Sequence, residues 1–252
     1  MRRVTTFVLG AYAFSTTLAI LSVLGILPSQ FPFTQFNTLL AFVFGILHAS
    51  QRFGWGRAIL LAVIVFLTGL AFESVGVATG LVYGPYHYSD QLDPKFLGLV
   101  PYLIPIAWFM MIYPSFVIAE KLCGKISASL ARIILVAVIG GIIMAAWDLA
   151  MDPLMARLGY WVWEVNGTYF GVPVQNFWGW WLTTFVALLI FQFMARPSIR
   201  KEPNEIPDLW VVILYAITGL ATVVVDIILG LPGPALIGII AMVPWVLTGF
   251  LL

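Results

Sequence analysis

Charge is the first thing this chain lacks. Only 9% of its 252 residues are Asp, Glu, Lys or Arg, against about 25% in a soluble domain, so an ordinary water-soluble fold is excluded. A net charge of +1 supplies no field for nucleic acid or for an acidic partner. Cysteine occurs once, as Cys123, which allows neither an internal disulfide nor a cysteine metal cluster and reads as a small apolar filler near a helix end. The two histidines, His48 and His87, stand in no His-x-x-His or Glu-x-x-His spacing. A magnesium site built from carboxylates alone would normally serve a phosphate substrate, and the cations near the carboxyls, Lys95 and Arg157, are few. No metal ion is expected. A cleavable leader is not expected either: the apolar run after Met1-Arg2-Arg3 continues to about Leu27, and no small-x-small site follows it. We read it as a retained first span.

What the chain has is hydrophobic length, 62% by composition. Runs of about 20 apolar residues suffice to cross a bilayer. They fall near residues 4–27, 33–51, 57–77, 98–120, 131–151, 177–195, 208–229 and 234–252. Basic residues provide an independent check. With the N-terminus inside, ten of the 12 fall in cytoplasmic segments (Arg2, Arg3, Arg52, Arg57, Lys121, Lys125, Arg132, Arg196, Arg200 and Lys201), and only Lys95 and Arg157 lie outside. This is the positive-inside pattern. The expected fold is therefore all-α, a polytopic transmembrane helical bundle of about eight spans, one domain over residues 1–252, with both termini cytoplasmic. Lipid cannot satisfy free backbone groups, so each span is helical. Pro105, Pro114 and Pro244 lie inside spans and predict kinks.

In this topology Glu73, Asp148 and Asp226 lie near the outer ends of spans three, five and seven. A charge at mid-membrane costs about 2.5–3.5 kcal/mol, so three carboxyls at one level are not accidental lipid-facing residues. The structural alternative is that each accepts hydrogen bonds and locks helix packing, a role that suits Asp226 best because its surroundings are apolar. The two long outer connections are dense in aromatics, glycines and carboxyls, from Phe72 to Tyr88 and from Trp147 to Trp181. Aromatic residues belong at a membrane interface, but interfacial anchoring does not explain the carboxyls among them. Asp148 and Asp152, four apart, share a face if the helix continues, whereas Pro153 predicts that it stops there or caps at Asp152. A weak repeat follows the three carboxyls: Gly98-Leu99-Val100-Pro101, Gly171-Val172-Pro173 and Gly230-Leu231-Pro232.

A pocket of carboxyls and aromatic faces suits two tasks. A carboxylic acid can protonate a greasy alkene, aromatic faces can stabilise the cation, and a carboxylate or amide can position water to trap it. His87, the histidine near this face, is a candidate partner for the acid. The other task is cation binding, in a transporter or a metal enzyme.

At these two loops the chain resembles the membrane-integral carotenoid biosynthesis hydratases of the CruF type, which include carotenoid 1,2-hydratases and bisanhydrobacterioruberin hydratases. The matching residues are Phe72-Glu73, Gly76-Val77, Thr79-Gly80, Tyr83-Gly84, Tyr86 and Tyr88. They continue with Asp148, Asp152-Pro153, Gly159, Trp161 and Trp163, then Tyr169-Phe170-Gly171-Val172-Pro173, Asn176-Phe177 and Gly179-Trp180. The resemblance covers most of the chain, although the first two and last two spans match only as apolar helices. It implies addition of water across a terminal double bond of an acyclic carotenoid, lycopene-like or C50, without a cofactor. It implies that Glu73, Asp148 and Asp152 handle protons and that Asn176 orients water. Tyr83, Tyr86, His87, Trp161, Trp163, Tyr169, Phe177 and Trp180 are then expected to line the polyene site. It further implies a prokaryotic cell membrane, contact with membrane lipid, a long polyene substrate, and other carotenoid-pathway enzymes as partners. Asp93-Pro94 stands where a glycine is expected after Leu92, which bears on the outer lid and on substrate choice. Two alternatives remain: a lycopene-cyclase-like or isomerising enzyme, which shares the protonation but excludes water, and a membrane transporter or lipid-binding protein. Spans four, six and eight are nearly free of ionisable residues in their interiors, which argues against a path through the membrane.

Overall fold

The structure, a computed structural model, describes residues 1–28, 30–127, 129–195 and 207–251. Among these, eight helices are each long and apolar enough to cross a membrane, and together they form an all-α polytopic bundle. They are α1 (Arg2–Val23), α2 (Phe33–Phe53), α3 (Trp55–Thr79), α4 (Leu103–Leu122), α5 (Leu130–Arg157), α6 (Val174–Ala195), α7 (Leu209–Ile228) and α8 (Pro232–Leu251). The expected basic cluster at Arg196, Arg200 and Lys201 lies outside the described residues, as does Leu252.

Central helices are α4, buried from Trp108 to Ala119, and α5, which packs on α4, α6, α7 and α8. The outer surfaces of α1 and α8 carry large exposed apolar side chains, Phe7 at 74% and Ile240 at 64% among them, as a lipid-facing surface requires. Cys123 is buried just after α4. At the end of the bundle formed by the C-termini of α2 and α4 and the start of α7, Arg52 donates to Glu120 at 2.6 Å and to Asp208 at 2.9 Å. His48 Nδ1 lies 2.6 Å from the Tyr113 hydroxyl at the same end.

The opposite end carries four short strands. β1 (Tyr86–Tyr88) follows α3 and β4 (Trp161–Trp163) follows α5, and the two pair antiparallel, Tyr86 with Trp163 and Tyr88 with Trp161. β2 (Lys95–Phe96) and β3 (Val100–Pro101) form a second small hairpin, so the fourth helix starts at Leu103 rather than near residue 98. The first helix stops at Val23, ahead of Gly25 with φ +73°, rather than at Leu27.

The largest departure from expectation is α5. It neither stops nor caps at Asp152 but runs on to Arg157 with Pro153 inside it. Proline removes the hydrogen bond that the carbonyl four residues earlier would receive, here Leu149. The Tyr169 hydroxyl donates to that carbonyl at 2.8 Å, so the helix survives its proline and Asp148 and Asp152 stay on one face. Pro105 sits in the first turn of α4, where its missing N–H is no loss, whereas Pro114 and Pro244 are interior.

Candidate active site

The carboxyls converge beneath the β1–β4 ribbon. Glu73, in the last turns of α3, is buried and accepts three hydrogen bonds. The Tyr86 and Tyr88 hydroxyls donate to Oε2, the latter at 2.9 Å, and Trp108 Nε1 donates to Oε1 at 3.0 Å. Strand alternation explains the first two donors: successive side chains point to opposite faces, so Tyr86 and Tyr88 turn inward while His87 turns out.

Across the cavity, Asp152 Oδ1 accepts from Trp161 Nε1 at 3.2 Å and from Trp163 Nε1 at 2.9 Å. Asn176, in the first turn of α6, donates through Nδ2 to Asp148 Oδ2 and to Asp152 Oδ2, both at 2.9 Å. One amide therefore bridges two carboxyls at the positive end of a helix dipole, which favours negative charge. Asp148 is fully buried, and its Oδ1 has no partner among the described residues. Among the described residues no group of three or more His, Cys, Asp or Glu is placed to hold a metal ion.

Between these walls lies a cavity of about 90 Å³ into which Glu73, Asp152 and Asn176 open. Its lining carries no positive charge and is rich in aromatic rings: Tyr83, Tyr86, Trp161, Trp163 and Trp180 all face it. Trp108 stacks on Trp180 with centroids 4.2 Å apart, and Tyr86 lies 5.0 Å from Trp163. Tyr83 fits because Gly76 and Gly179 leave room: a Cβ on Gly179 would stand 2.4 Å from the Tyr83 ring, and one on Gly76 2.6 Å. The Tyr83 hydroxyl pairs with Thr183 at 2.8 Å. Gly80, at φ +70°, ends α3 in the left-handed conformation that lets the chain turn back over the cavity.

Three expected site residues stand apart. His87 is exposed, 3.3 Å from Glu164 on the outer face of the ribbon, and therefore cannot assist the carboxyls. Tyr169 supports the Pro153 turn, and Phe177 packs edge-on against Tyr169 with centroids 4.9 Å apart; neither lines the cavity. Asp226 is buried on α7, with neither carboxyl oxygen paired among the described residues. Conversely, Tyr88, Trp108 and Trp147 line the cavity without having been singled out as site residues. The available signal for Trp108 was its indole N–H at the depth of Glu73, a donor that needs a buried acceptor.

Known sequences show which family this chain belongs to. The chain belongs to the carotenoid biosynthesis protein family, whose family model matches residues 33–244. It is 31% identical over 191 residues to the bisanhydrobacterioruberin hydratase of Haloarcula japonica, an alignment that covers 73% of this chain and 62% of that protein. The chain thus spans less than two thirds of that relative's length. No solved structure matches it.

Proposed function

We propose that the chain is a carotenoid hydratase, adding water across a terminal C=C of an acyclic carotenoid, lycopene-like or C50, without a cofactor. The observation that carries this reading is the Asp148–Asn176–Asp152 bridge opening on an aromatic cavity without cations. The similarity to a protein named as a hydratase supports it.

Two adjacent buried carboxyls repel each other when both are ionised, and a single proton held between them relieves this, as in other carboxyl dyads. The proton passes to the CH carbon of the terminal double bond, and the positive charge forms on the tertiary carbon. The faces of Trp108, Trp163 and Trp180 stabilise that charge through their quadrupoles. Water then attacks the cation and loses a proton to a carboxylate. Asn176 and Glu73 are the groups on the cavity wall that can orient this water. Atoms balance as one water added, with the proton restored to the dyad.

The distribution of basic residues supports cytoplasmic termini and a pocket toward the outer leaflet; the prokaryotic cell membrane follows from the resemblance, and the chain is read as a single membrane domain. A polyene would enter from lipid, supplied by other enzymes of carotenoid synthesis.

Expression in a host that accumulates lycopene, followed by chromatography and mass spectrometry of the pigments, tests the reading. The expected product is one water heavier and is absent with Asp148→Asn or Glu73→Gln. A cyclised product of unchanged mass would replace hydration by cyclisation.

A further inference from the structure

A second, larger cavity of about 280 Å³ lies between α1, α2, α5 and α7. Its floor is the hydrogen bond between Tyr12 and Thr218, 2.7 Å. Val23 and Phe31 stand on its rim, at 40% and 49% exposure. From Tyr12 to Val23 it follows α1 over about 16 Å, at 1.5 Å rise per residue. The two cavities share a wall: Thr34, Thr38, Met110, Trp147, Met155 and Tyr160 line both.

We propose that the two cavities are one tunnel, the acidic cavity taking the reacting end of the polyene and the α1–α2–α5–α7 groove taking the chain behind it. This rests on the hydratase reading for its occupant. The acidic cavity holds on the order of six waters, at about 15 Å³ of probe-occupied volume each, which is room for an isoprenoid end group and not for a long polyene. The rest of the molecule must leave through a wall, and the shared wall is the one with space behind it.

Met110 and Met155 are unbranched thioethers that change rotamer at little cost. Within the wall the Tyr160 hydroxyl donates to Thr34 Oγ1 at 2.9 Å. Trp147 joins the two spaces, its ring on the acidic cavity and its Nε1 donating to Thr222 in the groove at 3.2 Å. Asn37 Oδ1, at the groove wall, is shielded from solvent and has no partner among the described residues.

The test is pigment bound per mole of protein purified from a host rich in an acyclic carotenoid. Ala221→Trp on α7 and Ala19→Trp on α1 fill the groove from opposite sides, Ala221→Leu fills it less, and Leu220→Trp, at a side chain 65% exposed, is the lipid-facing control. The expected result is wild-type pigment in the control, a drop of about tenfold in the two Trp variants and a smaller drop with Ala221→Leu. Hydration of a short acyclic isoprenoid with the same end group should stay within about twofold in all of them, since it needs only the acidic cavity. Groove variants that keep wild-type pigment overturn the tunnel, as does wild-type protein that binds none. Wild-type protein that binds pigment, loses it on groove filling and adds no water leaves the tunnel standing and overturns the hydratase.

Discussion

At the end of the bundle away from the cavity, Arg52 lies 2.6 Å from Glu120 and 2.9 Å from Asp208, whereas at the cavity end Glu73, Asp148 and Asp152 meet indoles, phenols and an amide. The first arrangement cancels charge with charge and ties α2, α4 and α7 together. The second supplies hydrogen bonds without a counter-ion, so the carboxyls are held in place with no cation to compete for the proposed proton transfer. The ion cluster is partly exposed, with side chains at 15–19%, whereas the cavity carboxyls are buried; depth and the kind of partner together separate a clamp from the proposed reactive site.

The comparison can be broken most forcefully at the dyad. Asp152→Asn and Asp148→Asn each keep the side-chain shape, and each should lower hydration by about 10²–10⁴-fold, measured as hydrated pigment per folded protein. Their thermal unfolding should move little. Arg52→Ala should do the reverse. It leaves two partly exposed carboxylates without their cation and should cost about 1–3 kcal/mol of stability, read from thermal denaturation in detergent, with turnover per folded molecule kept.

Smaller effects sharpen the boundary between support and chemistry. Tyr169→Phe removes the donor to the Leu149 carbonyl beside Pro153 and should cost about 1–3 kcal/mol. Activity should fall only as far as α5 shifts Asp152, so a stability loss larger than the activity loss is the expected signature. His87→Ala, on the exposed face of the ribbon, should change stability by no more than about 0.5 kcal/mol and leave hydration unchanged. A large loss of activity there would return His87 to the proton relay.

Much of this was readable before any coordinates. Carboxyls inside apolar runs stand out because lipid penalises them, so Glu73, Asp148 and Asp226 could be picked by position, whereas Asp152, just past the expected end of its span, joined them through the resemblance. The density of aromatics and carboxyls drew attention to the two outer loops, and the resemblance singled out Asn176 and the loop tryptophans within them. What local pattern could not give was pairing at a distance. The β1–β4 ribbon joins loops on either side of α4 and α5, and its register decides that Tyr86 and Tyr88 turn in while His87 turns out. Pro153 read as a stop because its compensating donor, Tyr169, arrives from the following loop. Trp108 went unmarked because nothing in α4 says that its indole meets a carboxyl on α3.

The ribbon also bears on how the protein is made. Glu73 leaves the ribosome with Tyr86 and Tyr88 close behind it, but the Asp148–Asp152 pair obtains its indoles only with Trp161 and Trp163 and its amide only with Asn176. A nascent chain halted before α6 would hold that pair against lipid unbridged, at up to about 2.5–3.5 kcal/mol per carboxylate. Insertion of α6 is then the step that pairs the α5 carboxyls within the bilayer, so completing the proposed pocket and settling α5 in lipid become a single event.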